Sequence, residues 1–288
     1  MFAEAGDEVT TSQLIGFGLI GLVIILGLRA WSQFFQNTEL REDMRESLRY
    51  LPEVEKPMTA PVALGCFLGY LALPAVYILI WSSMQQTENA ELGELPQSVK
   101  LMHMVLSMGV QLVYLVVVLL VAHQQKLISL NDCGFHLKNI RQQVAYGWEA
   151  FLLAIPPVLI VLTLTAAFRS PDKVHDLFKV ISEQATVTNS LLIALSVMLL
   201  APLTEEIAFR VCMQGFVQHR HPSVAIVLTA FFFATIHGFP DSIPLLPLSL
   251  ILGMLYYYRK SFLACFTTHA LFNGYNLVIA LLMNGGNS

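Results

Sequence analysis

The stretch LLAPLTEEIAFRVCMQGF, Leu199 to Phe216, sets two adjacent acids, Glu205 and Glu206, and one base, Arg210, inside an otherwise apolar run. The chain around it is 56% hydrophobic and only 12% charged. An ordinary soluble domain carries about 25% charged residues, so the missing side chains are those that face water. A helix of about 20 residues crosses a hydrocarbon core of about 30 Å, and apolar runs near that length occur about eight times. They lie at roughly 14–31, 60–82, 101–122, 145–168, 190–217, 222–238, 243–258 and 262–283. The expected fold is therefore all-α, a polytopic transmembrane helical bundle of about eight helices.

The rest of the composition excludes several classes. MFAEAGDEVTTSQ carries acids and no Lys or Arg, so it lacks the basic region of a cleavable signal peptide, and the first helix is expected to be retained. Cys66, Cys133, Cys212 and Cys265 show no paired spacing, which fits neither a disulfide framework nor a cysteine zinc site. A net charge of −4 without a basic stripe gives no footprint for nucleic acid.

Eight crossings put both termini on one side. One set of loops carries Arg29, Arg41, Arg45, Arg49, Lys56, Lys126, Lys138, Arg141, Arg220, Arg259 and Lys260; the other carries Lys100, Arg169, Lys173 and Lys179. Cytoplasmic loops hold the excess of positive residues, so the termini are expected outside and the basic loops in the cytoplasm. Mixed charges and aromatics at about 32–58 predict an amphipathic cytoplasmic helix stopping near Pro52, and Asp172 to Ser190 reads as a second surface-lying segment.

Within a bilayer, a charged residue at depth costs about 2.5 to 3.5 kcal/mol on insertion scales, and such residues usually face the bundle interior or a wet cavity. Glu206 and Arg210 are four apart and can pair, which leaves Glu205 about 100° round the helix without a local partner. Pro202 loosens the helix just before them. FFFATIHGF places Phe233 and His237 on one helix face, and THALFNGYN places His269 and Asn273 on another. Counting 1.5 Å per residue from the short loops puts Glu205, His237 and Asn273 at roughly 20, 22 and 18 Å, with His269 at roughly 12 Å. Four polar groups from three helices thus converge near the midplane.

A carboxylate and a histidine at one depth can hold a water and take its proton. A second histidine and an amide can donate to the oxyanion that forms when that water attacks a carbonyl. The set suits peptide hydrolysis without a covalent intermediate. Zinc is the minority alternative, since Glu with two His is a zinc ligand set, but the HExxH spacing is absent and no metal or other cofactor is expected. An ion-coupled transporter would also place Glu, His and Asn at the midplane, though no inverted repeat accompanies them.

EEIAFR at Glu205–Arg210, FATIH at Phe233–His237 and HALFN at His269–Asn273 resemble the EExxxR, FxxxH and HxxxN/D motifs of the CPBP family. That family, also called ABI, unites type 2 CAAX prenyl proteases with bacteriocin-processing and immunity-type membrane proteins. The resemblance covers about Leu191 to Asn276. It implies an intramembrane glutamate protease in which Glu205 and His237 activate water, His269 and Asn273 stabilise the oxyanion, and Glu206, Arg210 and Phe233 support them. It also implies two regions, N-terminal membrane helices at 1–185 and a catalytic core at 186–288. The expected partners are a peptide or lipidated-protein substrate and membrane lipids, and the expected location is a bacterial inner membrane. A non-proteolytic scaffold, regulator or immunity protein of the same family is the other reading. The cavity is expected to open toward the cytoplasm.

Overall fold

The computed structural model describes residues 9–49, 59–84, 97–124, 130–131, 133–168 and 187–284. All regular structure among them is helical. Helix α1 (Thr11–Gln36) opens on a capping box in which Thr10 and Gln13 each accept the other's backbone N–H, satisfying two orphan donors. Asn37 interrupts the chain, and its side-chain oxygen accepts the Leu40 N–H at 2.9 Å to start the amphipathic α2 (Thr38–Arg49). Helix α2 is the predicted linker helix; of the segment expected at 32–58, residues 32–36 belong to α1 and 50–58 lie outside the described residues. Its stop near Pro52 lies outside the described residues, as does all of the segment expected at 172–190 except 187–190, which open α6.

The remaining helices are α3 (Ala60–Met84), α4 (Gln97–Gln124), α5 (Ile140–Leu164), α6 over 187–217, α7 (Pro222–Thr235), α8 (Ser242–Arg259) and α9 (Phe262–Asn284). Each of the eight predicted apolar runs is a helix. Six of them, α1, α3, α4, α5, α6 and α9, are long and apolar enough to cross a membrane. Helix α7 is shorter, at 14 residues, and three tyrosines and Arg259 lower the apolarity of α8.

Helix α5 is the central post, packing on α1, α8 and α9, while α3 packs on α4 and α6. In lipid, where burial alone does not drive helices together, close backbone approach takes over that role. At Gly147 an added Cβ would lie 2.6 Å from the Thr267 Cβ and 2.7 Å from the Ala264 carbonyl, so α5 and α9 meet at a point only glycine fits. Gly27 does the same for α1 against Leu152 and Pro156 of α5. The four cysteines form no disulfide, Cys66 half-buried and the others buried, consistent with small core residues.

The two ends of the bundle differ. At one, the Tyr257 hydroxyl donates to the Ser47 carbonyl, Phe262 N–H to the Gly134 carbonyl at 3.0 Å, and Arg259 stacks 3.9 Å from the Tyr146 ring centroid. At the other, the Gln13 side chain donates to the Met283 carbonyl at 3.4 Å and Phe168 meets Phe239.

Candidate active site

Helix α6 positions the acids by widening into π-helix twice. It runs as α-helix over Val187–Leu195, π-helix over Ser196–Leu200, α-helix over Ala201–Glu206, π-helix over Ile207–Gln214 and α-helix over Gly215–Val217. In the wide turns the donor reaches five residues back, Ala201 N–H to the Ser196 carbonyl and Gly215 N–H to the Arg210 carbonyl; such bulges gather at functional sites. Pro202 is next in line and has no N–H to give the Val197 carbonyl. That carbonyl accepts from Asn273 Nδ2 of α9 instead, at 3.0 Å. The loosening expected at Pro202 is thus a π turn closed by a side chain from another helix.

Below the turn lies a buried polar core. Glu206 and Arg210 are fully buried and paired, Nε to Oε2 at 3.1 Å, as their spacing predicts. Arg210 Nη2 donates to Ser249 Oγ of α8 at 2.8 Å and Nη1 reaches Gln214 Oε1 at 3.5 Å. The guanidinium also lies 5.4 Å from the Phe233 ring centroid. The second Glu206 oxygen accepts from His269 Nδ1 at 2.8 Å. A buried ion pair is tolerable only when its remaining donors and acceptors are also satisfied, and four partners do that here.

Glu205 faces the other way. Its Oε2 is buried without a hydrogen-bond partner, 3.9 Å from His237 Nε2 and 3.7 Å from His269 Nε2, both beyond direct hydrogen-bond length. The His237 Nδ1 lies 2.7 Å from the Phe233 carbonyl. A carbonyl only accepts, so Nδ1 donates to it and Nε2 is the nitrogen turned toward Glu205. His269, donating from Nδ1 to Glu206, likewise turns Nε2 toward Glu205. One carboxylate oxygen and two imidazole nitrogens therefore converge on one point, a set that can hold a water.

Phe233, fully buried, centres this cluster. Its ring lies 5.0 Å from His237, 5.5 Å from His269 and 5.3 Å from Phe209, centroid to centroid. Of the predicted site residues, Glu205, His237 and His269 come together directly, and Glu206, Arg210 and Phe233 pack behind them. Asn273 lies one turn beyond His269 and spends one amide N–H on Val197; its second N–H is the one available to a ligand.

A chamber of about 500 Å³ adjoins Glu205, lined among others by Tyr70, Tyr77, Ser107, Gln111 and Thr204. The Tyr70 hydroxyl interacts with the Glu205 carboxylate, and its ring rests 5.6 Å from that of Phe209. The sequence reading missed Tyr70, Gln111 and Ser249. Their segments are apolar on every side, and a lone Tyr, Gln or Ser in such a helix carries no spacing signal. Among the described residues, no group of three or more His, Cys, Asp or Glu is arranged to hold a metal ion.

Fold and site together define a multi-pass membrane protein with a buried acid–histidine cluster. Residues 187–275 match the family model described as type II CAAX prenyl endopeptidase Rce1-like. That segment contains all three motifs, and the family resemblance read from them holds across it. Neither the comparison with curated proteins nor that with solved structures gave a match.

Proposed function

We propose that the protein is an intramembrane endopeptidase that hydrolyses peptide bonds of membrane-associated or lipidated peptides, of CAAX, bacteriocin-like or signal-peptide-like type, with water activated by Glu205 and His237. The observation that carries this reading is the convergence of His237 Nε2 and His269 Nε2 on a Glu205 oxygen that has no hydrogen-bond partner among the described residues, at the wall of the chamber. One water proton passes to this acid–histidine pair as the oxygen attacks the scissile carbonyl. His269, when protonated on both nitrogens, and the second Asn273 N–H donate to the resulting oxyanion. The C–N bond then breaks and the leaving amine takes the proton back, yielding a carboxylate and an amine. Nothing in this sequence of steps requires a metal. Glu206 and Arg210 hold His269 in place. Helices α7 and α8 complete eight crossings in a bacterial inner membrane, with lipid around the bundle and both termini extracytoplasmic.

The test is cleavage of a broad peptide set, with and without a prenylated cysteine, by nanodisc-embedded wild type, Glu205→Gln, His237→Ala and Asn273→Ala. Loss of cleavage in folded Glu205→Gln and His237→Ala, with a large drop in Asn273→Ala, is the expected result. Cleavage untouched by Glu205→Gln would sink the mechanism.

A further inference from the structure

The chamber has a direction. Along α6 it runs from Glu205 back to Ala201, along α3 from Tyr70 to Tyr77, and along α4 from Gln111 to Ser107, with Ile236 after α7 closing one side. Helix α6 starts at residue 187 and ends beside Arg220, so Ala201 lies toward the end opposite Arg220. Helix α3 climbs away from the α2 end, so Tyr77 lies above Tyr70; α4 descends toward it, so Ser107 lies above Gln111. All four elements carry the chamber toward the same end, where Gln13 meets Met283 and Phe168 meets Phe239.

The opposite end gathers the charge. It holds Lys138 and Arg141 ahead of α5, Arg220 after α6, Arg259 and Lys260 after α8, and the arginines of α2, tied together by the Tyr257, Phe262 and Arg259 contacts. Among the described residues, the chamber end has Lys100 alone. The excess of Lys and Arg marks the cytoplasmic face of a membrane protein. An opening toward the cytoplasm and termini outside it, both expected from the sequence, are therefore incompatible, since the chamber shares an end with the start of α1 and the finish of α9.

We infer that the catalytic chamber opens on the extracytoplasmic side, so that the peptide is taken from an exported or membrane-inserted chain and not from the cytoplasmic tail of a prenylated protein. The inference rests on the site proposed above for its meaning as a substrate route, but the direction of opening stands on the geometry of the bundle and on charge. The polar wall agrees with it: Ser107 and Gln111 offer a hydroxyl and an amide along the path from that end to Glu205, as an extended backbone entering there would need, while the Tyr77 hydroxyl is bonded to His103.

The test labels cysteines in intact cells. Ser107→Cys and Tyr77→Cys place a thiol in the chamber, and Arg220→Cys places one at the basic end, each in the full chain, with wild type as the background for the four native thiols. A charged, membrane-impermeant thiol reagent is expected to modify both chamber variants in intact cells and Arg220→Cys only after permeabilisation. Labelling in the reverse order, labelling of all three from one side, or chamber thiols that stay unmodified from either side would overturn the inference. Two chamber variants guard against one failing to fold, and detergent-purified material confirms that each thiol is present. No catalysis is needed, so a chain that labels as expected yet cleaves nothing counts against the proposed activity and leaves the orientation standing.

Discussion

Glu205 and Glu206 are neighbours in sequence, and replacing each by glutamine should move stability in opposite directions. Among the described residues, Glu205 keeps a buried oxygen with no hydrogen bond, and two imidazole nitrogens lie 3.7 and 3.9 Å from it. A glutamine amide there would donate where the carboxylate only accepts. Removing an unsatisfied buried acceptor is worth about 1–2 kcal/mol, a gain of about 5- to 30-fold in the folding equilibrium. Glu206 holds Arg210 at 3.1 Å with both groups fully buried. Glutamine keeps a bond to His269 but leaves the guanidinium without its counter-charge, and breaking such a pair costs about 3–5 kcal/mol. Denaturant titration in mixed micelles, followed by tryptophan fluorescence, reads both changes, and peptide cleavage is measured on the same samples. Cleavage should disappear in Glu205→Gln while the fold tightens. If Glu205→Gln loses as much stability as Glu206→Gln, or if Glu206→Gln is neutral, the division into one working and one structural carboxylate is wrong.

His237→Ala should lower kcat by about 10²- to 10⁴-fold with little change in unfolding, because the side chain is partly exposed and bonded only to the Phe233 carbonyl; an unfolding midpoint that collapses would make the residue structural. Asn273→Ala should lose about 1–3 kcal/mol of stability as well as activity, since the Val197 carbonyl freed by Pro202 is left unpaired; unchanged stability would show that the bond does not hold α9 to α6. Gly147→Ala should cost about 1–3 kcal/mol through overpacking against Thr267, and a neutral result in the same titration would mean that α5 and α9 part more easily than their spacing implies.

The apolar runs told where helices lie because, in a bilayer, apolarity over a helix length is demanded by the solvent. They could not tell which helices span it: α7, at 14 residues, and α8, with its tyrosines, sit at the limit of length and apolarity. The Glu206–Arg210 pair was legible because a four-residue spacing survives the pitch of α6, and His237 and His269 because a rise of about 1.5 Å per residue brings them near the depth of Glu205. The π turns were hidden, since no local residue type requires them and only Pro202 hinted at a break. The spacing of Asn273 shows a polar group on the His269 face, but its bond to Val197 depends on a helix 76 residues away in sequence and leaves no local signal. Tyr70 was invisible for the same reason: its value lies in the neighbours α6 and α7 bring to it.

The buried network around Arg210 also bears on how the chain is made. Helix α6 must leave the ribosome carrying two acids and a base, while Ser249 follows Arg210 by 39 residues and His269 follows Glu206 by 63. At about 5–20 residues per second, Glu206 waits roughly 3–13 s for its histidine. During that interval the segment is a poor lodger in lipid, and the insertion machinery must shelter it or let it slip back. The final helix therefore does more than contribute two side chains to a site: its arrival is the step that commits the preceding half-built bundle to the membrane.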